Sequence, residues 1–175
     1  VSISASNNGN AASIQNPSNV TDLDNYEAGT HGGNYEPFSS STVADPGAAR
    51  GAITGAAETS GLGDKSDMAT FTSWGPLPDF TLKPDVSAPG SNVISLANDN
   101  GYTTMSGTSM AGPFIAGAAA LVRQRLQQTN PELKGADLVA AVKALLMNTA
   151  DPQIQQGFTT IVSPRRQGAD RKSVV

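Results

Sequence analysis

Apolar and polar residues alternate from the first position. Val1, Ile3 and Ala5 are separated by Ser2, Ser4 and Ser6, a two-residue period that predicts a strand over 1–6. Residues 7–45 carry no period and are rich in Asn, Gly and Ser; they read as a long loop. Ala52 to Ala57 is small and apolar, a buried strand, and 58–70 is a polar connector. Phe71–Pro76 and Lys83–Gly90 are punctuated by Pro and Gly, so strands there are short or bounded by turns. Val93–Ala97 and Tyr102–Met105 flank Asn98-Asp99-Asn100-Gly101. That arrangement predicts a β-hairpin, with Asn100-Gly101 supplying residues that tolerate positive φ.

The period then lengthens to that of a helix. Ile115, Ala118, Ala119, Val122 and Leu126 fall on one face of a helix beginning near Ser109 and ending at Asn130-Pro131. Five alanines between 111 and 120 keep its early turns slim. A second helix is predicted over Ala136–Asn148, with Leu138, Val139, Val142, Leu145 and Leu146 on one face. Each helix has a polar side as well as an apolar one, so both are expected to pack on a sheet and to meet water. These elements predict an α/β chain in which helices pack on a sheet, with a hairpin before the first helix.

Composition narrows the functions open to such a fold. The chain has 175 residues, a net charge of −4 and 15% charged residues. With no basic stripe, nucleic acid is excluded as a main partner. No apolar run reaches the ~18 residues of a membrane helix. Cysteine is absent, which removes disulfide frameworks, thiolate metal sites and thiol nucleophiles together. The start at Val1, without Met and already in a strand pattern, and the short polar tail reached after Arg165-Arg166-Gln167-Gly168-Ala169-Asp170 suggest a piece of a longer protein.

The candidate chemistry lies in Met105-Ser106-Gly107-Thr108-Ser109-Met110-Ala111-Gly112-Pro113, which joins a strand to a helix. A serine at that turn presents its hydroxyl beside unpaired N–H groups of the helix start. Those donors and the helix dipole favour negative charge, as an acyl-transfer nucleophile requires when the attacked carbonyl becomes an oxyanion. A bare Thr-Ser before a helix ordinarily does no more than cap it. The G-x-S-x-G elbow of α/β-hydrolases is not met, because Ala111 stands where its last glycine belongs. An S-x-x-K motif is not met either, with Gly112 in place of lysine.

Gly107-Thr108-Ser109-Met110-Ala111-x-Pro113, continued by Phe114-Ile115-Ala116-Gly117, resembles the nucleophile signature of the subtilisin-like serine peptidases. Lys83-Pro84-Asp85-Val86-Ser87-Ala88-Pro89-Gly90 and Phe71-Thr72-Ser73-Trp74-Gly75-Pro76 resemble further segments of that family. Val162-Ser163-Pro164-Arg165-Arg166-Gln167-Gly168-Ala169 resembles its large cell-envelope, lactocepin-like members. Gly112 replaces the family's usual serine, and Asp170 replaces a usual glycine.

The resemblance implies residues 1–175 to be the C-terminal portion of a subtilisin-like catalytic domain with part of a three-layer α/β fold, a mostly parallel sheet flanked by helices. It implies Ser109 as nucleophile and Asn7 as oxyanion donor, on the segment Ile3-Ser4-Ala5-Ser6-Asn7-Asn8-Gly9. Ser6 takes the place of the usual glycine there. A shift of one residue would select Asn8 instead; Gly9 favours Asn7. Substrate is expected along Ser4, Ala5, Ser6 and Thr108. The family order Asp, His, Asn, Ser places the remaining triad members before Val1. His31, the single histidine, falls after Asn7 and reads as a loop histidine. The implied partners are a polypeptide substrate and the N-terminal part of the same catalytic domain, and the implied location is extracellular, attached to the cell wall.

Relatives of this type carry a protease-associated insert close to the connector, so at 58–66 the insert is either absent or excised. No cofactor is required. Asp22, Asp24 and Glu27 are the candidate calcium cluster, although their spacing fits no EF-hand. Arg165 and Arg166 are expected to pair within the structure and Trp74 to pack as a core or loop aromatic. Two rival readings stand beside the enzyme: a non-catalytic subtilase-like binding module, and an inactive fragment that self-associates through an open sheet edge.

Overall fold

The computed structural model describes residues 1–7, 42–44, 46–59, 67–77, 79–153 and 161–169. His31, Asn8 and the Asp22, Asp24 and Glu27 cluster lie outside the described residues. Three strands, β1 (Ser2–Ser4), β2 (Ile53–Glu58) and β3 (Val86–Pro89), form a parallel sheet in the order β1-β2-β3. Ser2 pairs with Ile53, and Gly55 with Val86. The hairpin is β4 (Val93–Leu96) and β5 (Tyr102–Met105), with Val93 opposite Met105 and Leu96 opposite Tyr102. Three helices follow: α1 (Thr108–Thr129), α2 (Gly135–Asn148) and the short α3 (Pro164–Gln167). The mixed α/β class with helices on a parallel sheet is as expected.

Alternation along β2 explains the layers, since successive side chains point to opposite faces. Ile53 and Ala57 join Ala111 and Ile115 of α1 and Leu138 and Val142 of α2 in the main core. Gly55 lies on the same face: a Cβ there would sit 2.4 Å from Ile115 Cδ1. Glycine thus lets the slim start of α1 approach the sheet. On the opposite face Ala56 packs with Met68 and Val162. Ser2 Oγ donates to the Gly112 carbonyl at 3.1 Å, tying β1 to the same helix.

Some sequence expectations are corrected. Phe71–Pro76 contains no strand; Thr72 and Ser73 are instead fully buried polar residues. In the hairpin loop Asp99 and Asn100 take positive φ, and Gly101 does not. The apolar faces of the helices are only partly covered. Ala118, Val139 and Leu145 are exposed, while Ile115, Leu138 and Val142 are buried. The reason is that α1, α2 and the sheet meet along a narrow stripe, and the flanks of that stripe line two grooves. One, about 430 Å³, runs past Val1, Ala116, Ala120 and Val139. The other lies by Phe114 and Ala118 beside β3.

A charged cluster sits inside this frame. Lys83 Nζ is buried and donates to Asp85 Oδ2 at 2.6 Å, Thr54 Oγ1 at 2.9 Å and the Ala52 carbonyl at 2.9 Å. Lys143 of α2 reaches Asp85 Oδ1 at 2.7 Å. Burial pulls the Lys83 ammonium below the usual lysine range, and the Asp85 carboxylate opposes that shift. Buried charge is tolerated only when paired and hydrogen bonded, and this cluster pins the K-P-D segment to β2.

Trp74 is packed under two cations. The Arg165 and Arg166 guanidinium carbons lie 5.6 and 5.1 Å from the ring centroid, within cation–π range. Arg165 Nε donates to the Gly75 carbonyl at 2.8 Å, and Arg166 to that of Ala69 at 3.2 Å.

Candidate active site

The C-terminal end of β1 and the N-terminal end of α1 meet although a hundred residues separate them. Asn7 Oδ1 accepts the Thr108 backbone N–H at 2.8 Å and the Thr108 hydroxyl at 2.9 Å. An amide has one acceptor end and one donor end. With the oxygen engaged twice by Thr108, Nδ2 is the end left to donate. It faces Gly107, where an added Cβ would lie 3.2 Å from it. Glycine at 107 keeps that approach open.

Thr108 is fully buried, and Ser109, the second residue of α1, is exposed. Among the described residues no acceptor is bonded to the Ser109 N–H. Pro113 lies inside the helix and has no N–H to offer the Ser109 carbonyl four residues earlier. The turn itself is fixed from another direction: the Gly107 N–H donates to the Gly90 carbonyl at 2.7 Å. Gly90 ends the Lys83–Gly90 segment, so that run holds the strand-to-helix turn in place. Ser106 Oγ accepts the Asn92 N–H at 2.9 Å.

The structure therefore brings together Asn7, Thr108 and, next to it, Ser109. Ser4 and Ser6 are half-buried, whereas Ala5 is fully buried in a small cluster with Val43 and Leu77. Ala5 thus has only its backbone near any ligand. Ser6 has φ 85°, and its hydroxyl turns to the Thr42 carbonyl and to Ser73 Oγ, at 3.0 and 2.7 Å. Ser73 was not among the candidate residues. Its contact spans 67 positions, and nothing local in the sequence points to it. At the connector Thr59 N–H donates to the Asp67 carbonyl at 2.6 Å, which closes the chain on either side of 60–66. Among the described residues there is no group of three His, Asp or Glu side chains suited to a metal ion.

The comparison that decides the family is the match of residues 1–169 to the description "Subtilase family" of Peptidase_S8. The chain belongs to the subtilase family. It is similar to the PII-type proteinase of Lactococcus lactis subsp. cremoris, 50% identical over 110 residues, covering 58% of this chain and 6% of that protein. It is also similar to the C5a peptidase of Streptococcus pyogenes, 33% identical over 102 residues, covering 58% of this chain and 9% of that protein. Among solved structures, the Clostridium perfringens CspB protease superposes with a TM-score of 0.55 at 27% identity. That match covers 71% of this chain and 25% of CspB. The S41 psychrophilic protease gives 0.51 at 25% identity, covering 73% and 43%. This subtilase chain spans a small fraction of the proteinases it resembles.

Proposed function

We propose that the protein containing this chain is a serine endopeptidase with Ser109 as nucleophile and Asn7 as oxyanion donor. Ser109 Oγ attacks the scissile carbonyl carbon. The carbonyl oxygen takes the negative charge and is received by the Ser109 N–H and Asn7 Nδ2. The hydroxyl proton passes to a histidine, oriented by an aspartate, both in sequence preceding Val1. That histidine returns the proton to the departing amine, and water then releases the acyl group. Ser4, Ala5, Ser6 and Thr108 border the seat of the peptide.

The observation that carries this reading is the double hydrogen bond from Thr108 to Asn7 Oδ1. It turns the donor end of the amide toward the turn that presents Ser109. Family membership supports the reaction class. By likeness to the lactococcal proteinases, the location is outside the cell, at the cell wall. No helix among the described residues is long and apolar enough to cross a membrane. The N-terminal part of the same catalytic domain covers the open groove beside β1, and the 175-residue chain by itself is inactive.

A serine-directed fluorophosphonate tests the assignment in the full-length protein. Labelling of the parent and loss of both labelling and casein hydrolysis in Ser109→Ala support it. Unchanged hydrolysis by Ser109→Ala overturns it. Asn7→Ala should lower kcat by ~10²–10³ with little change in KM, the loss known for subtilisin's own oxyanion asparagine.

A further inference from the structure

We propose that Ser6 and Ser73 form a hydroxyl latch that positions the Asn7 amide; this rests on the reading of Asn7 as the oxyanion donor. Ser6 has φ 85°, in the left-handed region where a Cβ meets steric cost and glycine does not. A non-glycine residue persists there only when its surroundings hold it. Here they do. The Ser6 hydroxyl donates to the Thr42 carbonyl at 3.0 Å. Its one proton is thereby used, so the 2.7 Å contact between the two hydroxyls has Ser73 donating to Ser6. The Ser73 N–H in turn donates to the Ser6 carbonyl at 3.2 Å. Side chain and backbone of Ser6 are thus both tied to a fully buried residue.

The consequence falls on the next residue. The peptide unit leaving Ser6 sets where the Asn7 side chain begins, and Thr108 fixes where its amide ends. Held at both ends, the amide keeps its donor aimed at one place before substrate arrives, which is the preorganisation an oxyanion site needs. Ser6 and Ser73 are positioning residues; neither needs to touch the reacting atoms.

The test uses the full-length protease and a chromogenic peptide amide, comparing Ser6→Ala, Ser6→Gly, Ser73→Ala and the Ser6→Gly/Ser73→Ala pair. Ser6→Ala keeps the Cβ at positive φ but loses the hydroxyl. With both the Thr42 and the Ser73 bonds gone, it should lower kcat about twentyfold, the size of two neutral hydrogen bonds, with KM changed less than about twofold. Ser6→Gly, which needs no latch, should exceed Ser6→Ala in kcat by about the same factor. Ser73→Ala should cost about fivefold in the Ser6 chain and little in the Ser6→Gly chain. Equal losses from Ser73→Ala in both backgrounds, or a Ser6→Ala enzyme equal to its parent, overturn the latch. If Ser6→Ala does not fold, the Ser73→Ala comparison decides alone. Ser109→Ala separates the two levels. When it is inactive and the latch pattern is missing, only the latch is lost. When it remains active, the active-site reading falls and takes the latch with it.

Discussion

At the scale of single residues, Thr108 does more than precede the nucleophile. Its hydroxyl and its N–H hold the same amide oxygen. Thr108→Val removes one of the two bonds and keeps the shape. The expected result in the full-length enzyme is a kcat lowered about fivefold, KM nearly constant, and recovery in Thr108→Ser, measured by steady-state kinetics. An equal rise in KM with kcat intact would assign Thr108 to substrate binding instead. The Gly107-to-Pro113 run singles out Thr108 and Ser109 because a strand-to-helix turn is local, whereas Asn7 is reached only through the likeness of Ile3–Gly9 to a family segment. The partners of Ser6 are not legible in the sequence, because Thr42 and Ser73 reach it only through the fold. The same holds for Lys83, whose neighbours Ala52, Thr54 and Asp85 come from two adjacent strands' approaches.

At the scale of elements, the contact of β2 with α1 sets how far the helix start stands from the sheet. Gly55→Ala would drive a methyl group into Ile115 Cδ1. The neighbour is the tip of a flexible side chain, so the expected loss is modest, ~1 kcal/mol in stability by thermal or denaturant unfolding. Ile115→Val removes the obstructing carbon and should recover most of the loss in the double variant, a coupling that independent sites would not show. Strands and helices were readable here because their periods are local. The first hairpin strand ends at Leu96, one residue short of the predicted Ala97, the second matches Tyr102–Met105, and α1 and α2 each begin one residue earlier than predicted. The helix faces were less readable. Val139 and Leu145 share a face with Leu138 and Val142, yet only the latter pair is buried. Periodicity marks which residues are apolar, whereas coverage depends on what is packed against them. The short α3 has no period at all; Ser163 caps it by accepting the Arg165 N–H at 3.3 Å.

At the scale of the molecule, β1 stands at the end of the sheet. Its odd-numbered residues bond toward β2, as in Ala5 N–H to the Gly55 carbonyl and Ile53 N–H to the Val1 carbonyl. The N–H groups of Ser2 and Ser4 therefore point the other way. If the N-terminal part of the catalytic domain lies there, Ser2 and Ser4 amides in the full-length protein should exchange hydrogen as slowly as those of Ile3 and Ala5. Exchange faster by orders of magnitude would show an edge open to water and remove the proposed covering.

The seating of Trp74 carries a practical corollary. It is the only tryptophan in the sequence, and the two guanidinium groups above it belong to a segment ninety positions further along. In the 175-residue chain its indole emission is consequently an intrinsic optical gauge of whether the α3 turn is docked. Detachment of that turn strips both cations from the ring at once, without any label having to be introduced.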